Sequence, residues 1–167
     1  MNTRMDETAP DGAAALNLDE LQRDLVLSLV QSFAAAAGPQ SGGSSTYAAL
    51  EDAVATMEVP RELVPPLGAI VEVALSTGRV RNAFGPAAEL SLTALLRKTP
   101  RGETIGASFG ELNRALAKLK GHPLDEINAA SRKPGVYTLT IAAGEYRIVV
   151  RFDNDGAVVE SVETGAN

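Results

Sequence analysis

Apolar positions recur along this chain with two different periods. From Leu18 to Ile127 they fall three or four residues apart, the spacing that lines one face of an α-helix. From Val136 onward they alternate with polar positions, the spacing of a half-buried strand. In the first region Leu18, Leu21, Leu25, Leu29 and Phe33 form a helical stripe. Val26, Leu27 and Val30 widen it until the middle of that helix is apolar nearly all round, so it must be buried against something. Asn17, with Glu20 three residues on, has the form of a capping box at its start, and Gly38-Pro39 ends it.

Tyr47, Leu50, Val54 and Met57 predict a short amphipathic helix entered through a Ser/Thr cluster. Pro60 starts another turn, which Pro65-Pro66 is expected to interrupt because neither proline can donate to the preceding turn. Leu67, Ile70, Val71, Ala74 and Leu75 predict a helix that stops at Gly78. Pro86 after Gly85 opens the next, with Leu90, Leu92, Leu95 and Leu96 as its apolar residues and Thr99-Pro100-Arg101-Gly102 as its stop. Ile105, Phe109, Leu112, Leu116 and Leu119 give the strongest helical signal, closed by Gly121. Gly102, Gly106 and Gly110, four apart on this helix, suggest a close helix crossing at small residues. Pro123 is expected to start a last short helix through Leu124 and Ile127.

At Pro134-Gly135 the period changes. Tyr137, Leu139 and Ile141 alternate with Val136, Thr138 and Thr140, and Tyr146, Ile148, Val150 and Phe152 share a face opposite Glu145, Arg147 and Arg151. Ala143-Gly144 and Asp153-Asn154-Asp155-Gly156 supply turns between β-rich runs. The apolar face calls for helices to cover it, while the other face, with Thr138, meets water. The fold class is therefore α+β, with N-terminal helices packed on one face of a C-terminal three-stranded antiparallel meander. The organisation expected is a disordered acidic tail over 1–15, the N-terminal helix over 16–37, a flexible linker over 38–46 and an α+β domain over 47–167. In that domain the helices occupy 47–133 and the meander 136–163.

Composition narrows the chemistry. The 167 residues include no Cys, which excludes a disulfide framework, a thiolate metal site and a cysteine nucleophile, and fits a reducing cytoplasm. The first residues are polar and acidic with no apolar core of a signal peptide, and no apolar run reaches the ~20 residues that span a bilayer. A cytoplasmic protein with no membrane contact is expected. The net charge of −6 is unevenly spread. Residues 1–60 hold two Arg against nine acids, 61–135 eleven bases against seven acids, and 136–167 two Arg against five acids.

No residue set reads as catalytic, cofactor-binding or metal-binding. His122, the one histidine, lies between Gly121 and Pro123 with no nucleophile or ligand pattern beside it, and reads as a cap or loop residue. Asp153-Asn154-Asp155-Gly156 lacks the alternating acids and distant Glu of a calcium loop. The pairs Asp19-Glu20, Glu51-Asp52 and Asp125-Glu126 fall in the first turn or two of expected helices, where acids favour the helix dipole. The glycines form neither a phosphate loop nor a dinucleotide fingerprint.

Two functional expectations remain. The first is a non-enzymatic interaction or regulatory protein, homo-oligomeric, contacting itself or another protein through Leu18, Leu21, Leu25, Leu29 and Phe33 on a linker-tethered helix. The alternative is nucleic-acid or anionic-ligand binding through the basic middle, with Arg79, Arg81, Arg97, Lys98 and Arg101 as contacts. The acidic chain and the scarcity of aromatics near those arginines weigh against nucleic acid.

Overall fold

A computed structural model of the chain describes residues 16–38 and 43–165. The expected tail over 1–15 and the centre of the expected linker, 39–42, lie outside the described residues. The chain divides into two compact units, residues 1–100 and residues 101–167.

The first unit is helical. Strand β1 (Leu16–Asn17) pairs antiparallel with β2 (Glu58–Val59), Leu16 opposite Val59. Because Asn17 is drawn into this pairing, the cap of helix α1 (Glu20–Ala37) moves to Asp19. The Asp19 carboxylate accepts from the Gln22 amide at 2.8 Å, and the Gln22 side-chain oxygen accepts from the Asp19 amide at 3.2 Å. Gln22 is buried and also donates to the Ser91 carbonyl at 3.4 Å. Helices α2 (Ser44–Ala55), α3 (Val64–Ser76), α4 (Arg79–Phe84) and α5 (Pro86–Leu96) complete the unit. Its core joins Leu25, Val26, Leu29 and Val30 of α1 to Leu50, Val54, Leu67, Val71, Val80, Leu92 and Leu95.

Two local expectations are corrected in this unit. Pro65 and Pro66 open α3 instead of interrupting it, because they occupy its first turn, where no intrahelical amide bond is lost. Gly78, at φ +67°, does end α3, but only as the turn into the unforeseen short helix α4.

In the second unit helix α6 (Pro100–Leu116), begun by the proline expected to stop a helix, continues into a 3₁₀ turn at Ala117–Leu119. A four-stranded antiparallel sheet follows, in the order β3 (Leu124–Lys133), β4 (Val136–Ala143), β5 (Tyr146–Asp153), β6 (Gly156–Thr164). The fold is thus α+β with a C-terminal antiparallel meander, but of four strands, not three. The residues expected to form a last helix from Pro123 make an edge strand instead. Leu124 and Ile127 are three apart, which looks helical, yet Asn128, Ala129, Ala130 and Ser131 give little polar contrast in either period. All ten residues of β3 are exposed, so burial imposes no alternation on them.

Registers place Tyr137, Leu139 and Ile141 opposite Phe152, Val150 and Ile148, so one face of the sheet is apolar. Leu112 and Ala115 of α6 pack on that face against Ile148, Val150 and Ala157. The two hydrophobic cores share no residue, and the helix in the sheet's own core is α6. At Gly106 and Gly110 an added methyl group would meet nothing within 4 Å, so these glycines do not mark a close crossing.

The opposite face of the sheet is laced by ion pairs. Arg147 reaches Glu126 at 3.6 Å, while Arg132 and Arg151 both reach Glu160, at 3.4 and 3.3 Å. Thr138, expected to meet water, is buried on this face, and its hydroxyl has no hydrogen-bond partner among the described residues. Its strand partner is Arg151. An unpaired buried hydroxyl costs ~1–3 kcal/mol, so Thr138→Val should raise the unfolding free energy by about 1 kcal/mol. Urea denaturation checks this; a loss of stability would show that the hydroxyl is bonded.

Candidate functional site

The feature of the second unit that points outward is the half of its sheet that α6 leaves open. Helix α6 is tied to the β5–β6 side by three kinds of contact. Arg101 donates to the Asp155 carboxylate at 2.9 Å and to the Asn154 carbonyl at 2.6 Å. The Ala157 amide donates to the Ser108 hydroxyl at 3.2 Å, close to Gly156, whose φ of +120° suits glycine. Leu112 and Ala115 then fill the space above Ile148 and Val150.

On the same face, registers align Leu124 with Ala143, Ile127 with Ile141, and Ala129 with Leu139. Ile141 and Ala143 are buried, but the side chains outward of them are not. Leu124 is 59% exposed, Ile127 62% and Tyr137 55%. Phe109 of α6 is also exposed. Isolated apolar residues on a surface need no explanation, but Leu124 and Ile127 are near neighbours on one face of the edge strand, and Tyr137 lies farther along the same face, opposite Ser131. Beside them runs the outer edge of β3, the end of the sheet order, with no neighbouring strand among the described residues to take its backbone amides and carbonyls.

His122 is exposed and bears on how the sheet is held. Its ring meets Tyr146 edge-on, with centroids 5.3 Å apart, and lies over Gly144. A methyl group on Gly144 would fall 2.6 Å from His122 Nδ1 at a backbone φ of +58°, so both the backbone conformation and the space there favour glycine. The Gly144 amide donates to the Asp125 carboxylate at 2.7 Å. Asp125, expected to serve a helix dipole, instead holds the β4–β5 turn. In the β5–β6 turn the Asp155 amide donates to the Asp153 carboxylate at 2.9 Å, ordinary Asx-turn chemistry. Among the described residues no group of three or more His, Cys, Asp and Glu is placed to hold a metal ion.

The residues expected to contact a partner through α1 are placed mostly inward. Leu18, Leu25 and Leu29 are buried and Phe33 is half-buried against the same core, so these side chains pack within their own unit. Leu21 alone of the five is exposed.

The basic residues of the alternative reading are dispersed. Arg79 lines a cleft of about 210 Å³ with Ser28, Ser32 and Phe84, while Arg81 pairs with Glu89 at 3.3 Å. Arg97 and Lys98 are exposed beyond the end of α5, and Arg101 is engaged in the second unit by Asp155. A second cleft, of about 580 Å³, is lined by Arg132, Lys133 and Arg151 but also by Asp153 and Asp155. A third, of about 310 Å³, is apolar and lies among Phe33, Tyr47, Leu50, Pro66 and Ile70.

The open strip and edge of β3 are hidden in the sequence because the three-residue spacing of Leu124 and Ile127 has the form of a helix. The signal that could have found them is the Pro134-Gly135 turn, which is flanked by β-rich sequence on one side and demands a strand on the other. No helix among the described residues is long and apolar enough to cross a membrane. Compared with models of protein families, with curated proteins and with solved structures, the chain matches none of them.

Proposed function

We propose that this is a cytoplasmic, non-enzymatic interaction protein that assembles with itself, and that the open half of its C-terminal sheet is the surface it uses. The observation that carries the reading is the exposure of Leu124 and Ile127 on β3, with Tyr137 farther along the same face, on a strand edge that is unpaired among the described residues. Burying an exposed aliphatic or aromatic side chain yields ~1.5–3 kcal/mol, and a bare edge adds backbone bonds that water otherwise satisfies. Relative to the expectation for α1, the surface moves from a helix whose stripe is filled by its own unit to a strand whose apolar side chains are not.

Light scattering over a concentration series tests the reading. The full chain should be oligomeric, and Ile127→Lys should shift it toward monomer. Because Ile127 is exposed, that substitution should change the unfolding free energy by less than about 1 kcal/mol. A full chain that stays monomeric throughout would defeat the proposal, and an oligomer indifferent to Ile127→Lys would remove it from this surface.

A further inference from the structure

Strand β3 has an acidic end, an uncharged centre and a basic end. Asp125 and Glu126 precede Ile127, Asn128, Ala129, Ala130 and Ser131; Arg132 and Lys133 follow them. The register with β4 shifts between Leu124 and Glu126 and again between Ser131 and Lys133, while the stretch between is regular. Proteins blunt bare edges with charges and bulges. Here both devices sit at the strand's ends and leave its centre open to another strand.

We propose that β3 pairs antiparallel with β3 of a second copy of this chain, about a two-fold axis between the two copies of Ala129, joining two four-stranded sheets into one of eight. This rests on the self-assembly proposed above and names its contact. In antiparallel pairing, directly opposed residues point to the same face. A two-fold normal to the sheet therefore passes midway between the two copies of a single residue, not between successive residues, and keeps α6 of both copies on one side. Centred on Ala129, the pairing sets Ile127 against Ser131 and Asn128 against Ala130. The bulges at the two ends loosen the one-to-one register there, but the acidic end of each strand, Asp125 and Glu126, then lies beside the basic end of the other, Arg132 and Lys133, twice by symmetry. An axis at Asn128 sets Asp125 against Ser131, and one at Ala130 sets Ile127 against Lys133, so neither matches the charges. The other edge, β6, carries Glu160 and Glu163 and no base, so self-pairing there would bring acids together. Glu126 and Arg132 already have partners in Arg147 and Glu160. Lys133 has no ion-pair partner among the described residues, and the second copy's acidic end would supply one. The same symmetry sets the two copies of Ala129 directly against each other on the α6 side, with one copy of Ile127 diagonally adjacent to the partner Ala129 on each side of the axis.

The chain has no cysteine, so an introduced one is its only thiol. Opposed residues of an antiparallel pair have Cα atoms ~4.5–5.5 Å apart, inside the ~4.4–6.8 Å range of disulfides. Under mild oxidation Ala129→Cys should give a cross-linked dimer in high yield, whereas Ser131→Cys, equally exposed but offset from its own copy, should not. Lys133→Glu should raise the dissociation constant about tenfold, as should Asp125→Lys, while an equimolar mixture of the two should associate as well as the unchanged chain. If Asp125→Lys loses its bond to Gly144 and unfolds, the two cysteine variants decide alone. A stable oligomer in which Ala129→Cys fails to cross-link, or Ser131→Cys links as well, overturns this contact and leaves self-assembly standing. A full chain that is monomeric at every concentration overturns both, and leaves the edge to a different protein.

Discussion

Ile148→Asp should unfold the C-terminal sheet. Ile148 is fully buried on β5, opposite Ile141 on one side and Val162 on the other, with Leu112 and Ala115 of α6 packed over the same cluster. The substitution removes an aliphatic side chain worth ~1.5–3 kcal/mol of burial and places a carboxylate where no base faces it. The bases of its own strand, Arg147 and Arg151, belong to the other face, engaged with Glu126, Glu160 and Asp153. An unpaired charge in such a site costs several kcal/mol beyond the lost packing, so a total of about 4 kcal/mol or more is expected. Hydrogen exchange at the amides of β4 and β5 is the direct readout: their protection should collapse. The contrast is Val158→Asp. Val158 is exposed on β6 opposite Arg151, so that variant should fall within about 1 kcal/mol of the unchanged protein. Equal loss of protection in both variants would mean that the two faces of the sheet are wrongly distinguished.

The strands β4, β5 and β6 were legible because one of their faces is covered. Burial under α6 forces Leu139, Ile148 and Val150 to alternate with Thr140, Arg147 and Arg151, and that alternation is visible in the sequence. β3 was illegible for the opposite reason: nothing among the described residues covers it, so its composition is free to be Asn, Ala and Ser. The candidate surface lies on that strand, and the chain is hard to read where it is unpartnered for the same physical reason. The α1 stripe shows the converse. Its strong apolar pattern was read as a surface in search of a partner, yet periodicity reports only that a face is buried, not against which chain. The cap residue was missed because Asn17 and Asp19 are both good caps, and only the pairing of Leu16–Asn17 with Glu58–Val59 decides between them.

Deletion of residues 1–40 should therefore unfold the N-terminal unit, not release a detachable arm. Helix α1 contributes Leu25, Val26, Leu29 and Val30 to the core, all buried, and packs with α2, α3 and α5. At ~1.5–3 kcal/mol each, these four side chains represent on the order of 6–12 kcal/mol, an upper estimate because unfolded chains already bury part of their surface. A domain of this size has a net stability of ~5–15 kcal/mol, so the loss is comparable to the whole. The deletion also removes Leu16, leaving Val59 without its strand partner, and exposes Leu50, Leu67 and Leu92 to water. A far-UV circular dichroism loss well beyond that of the missing helix is expected, with hydrogen exchange showing α2, α3 and α5 unprotected. Retained protection of α3 and α5 after the deletion would show that α1 is dispensable to the core, and would return its leucine stripe to consideration as a contact surface.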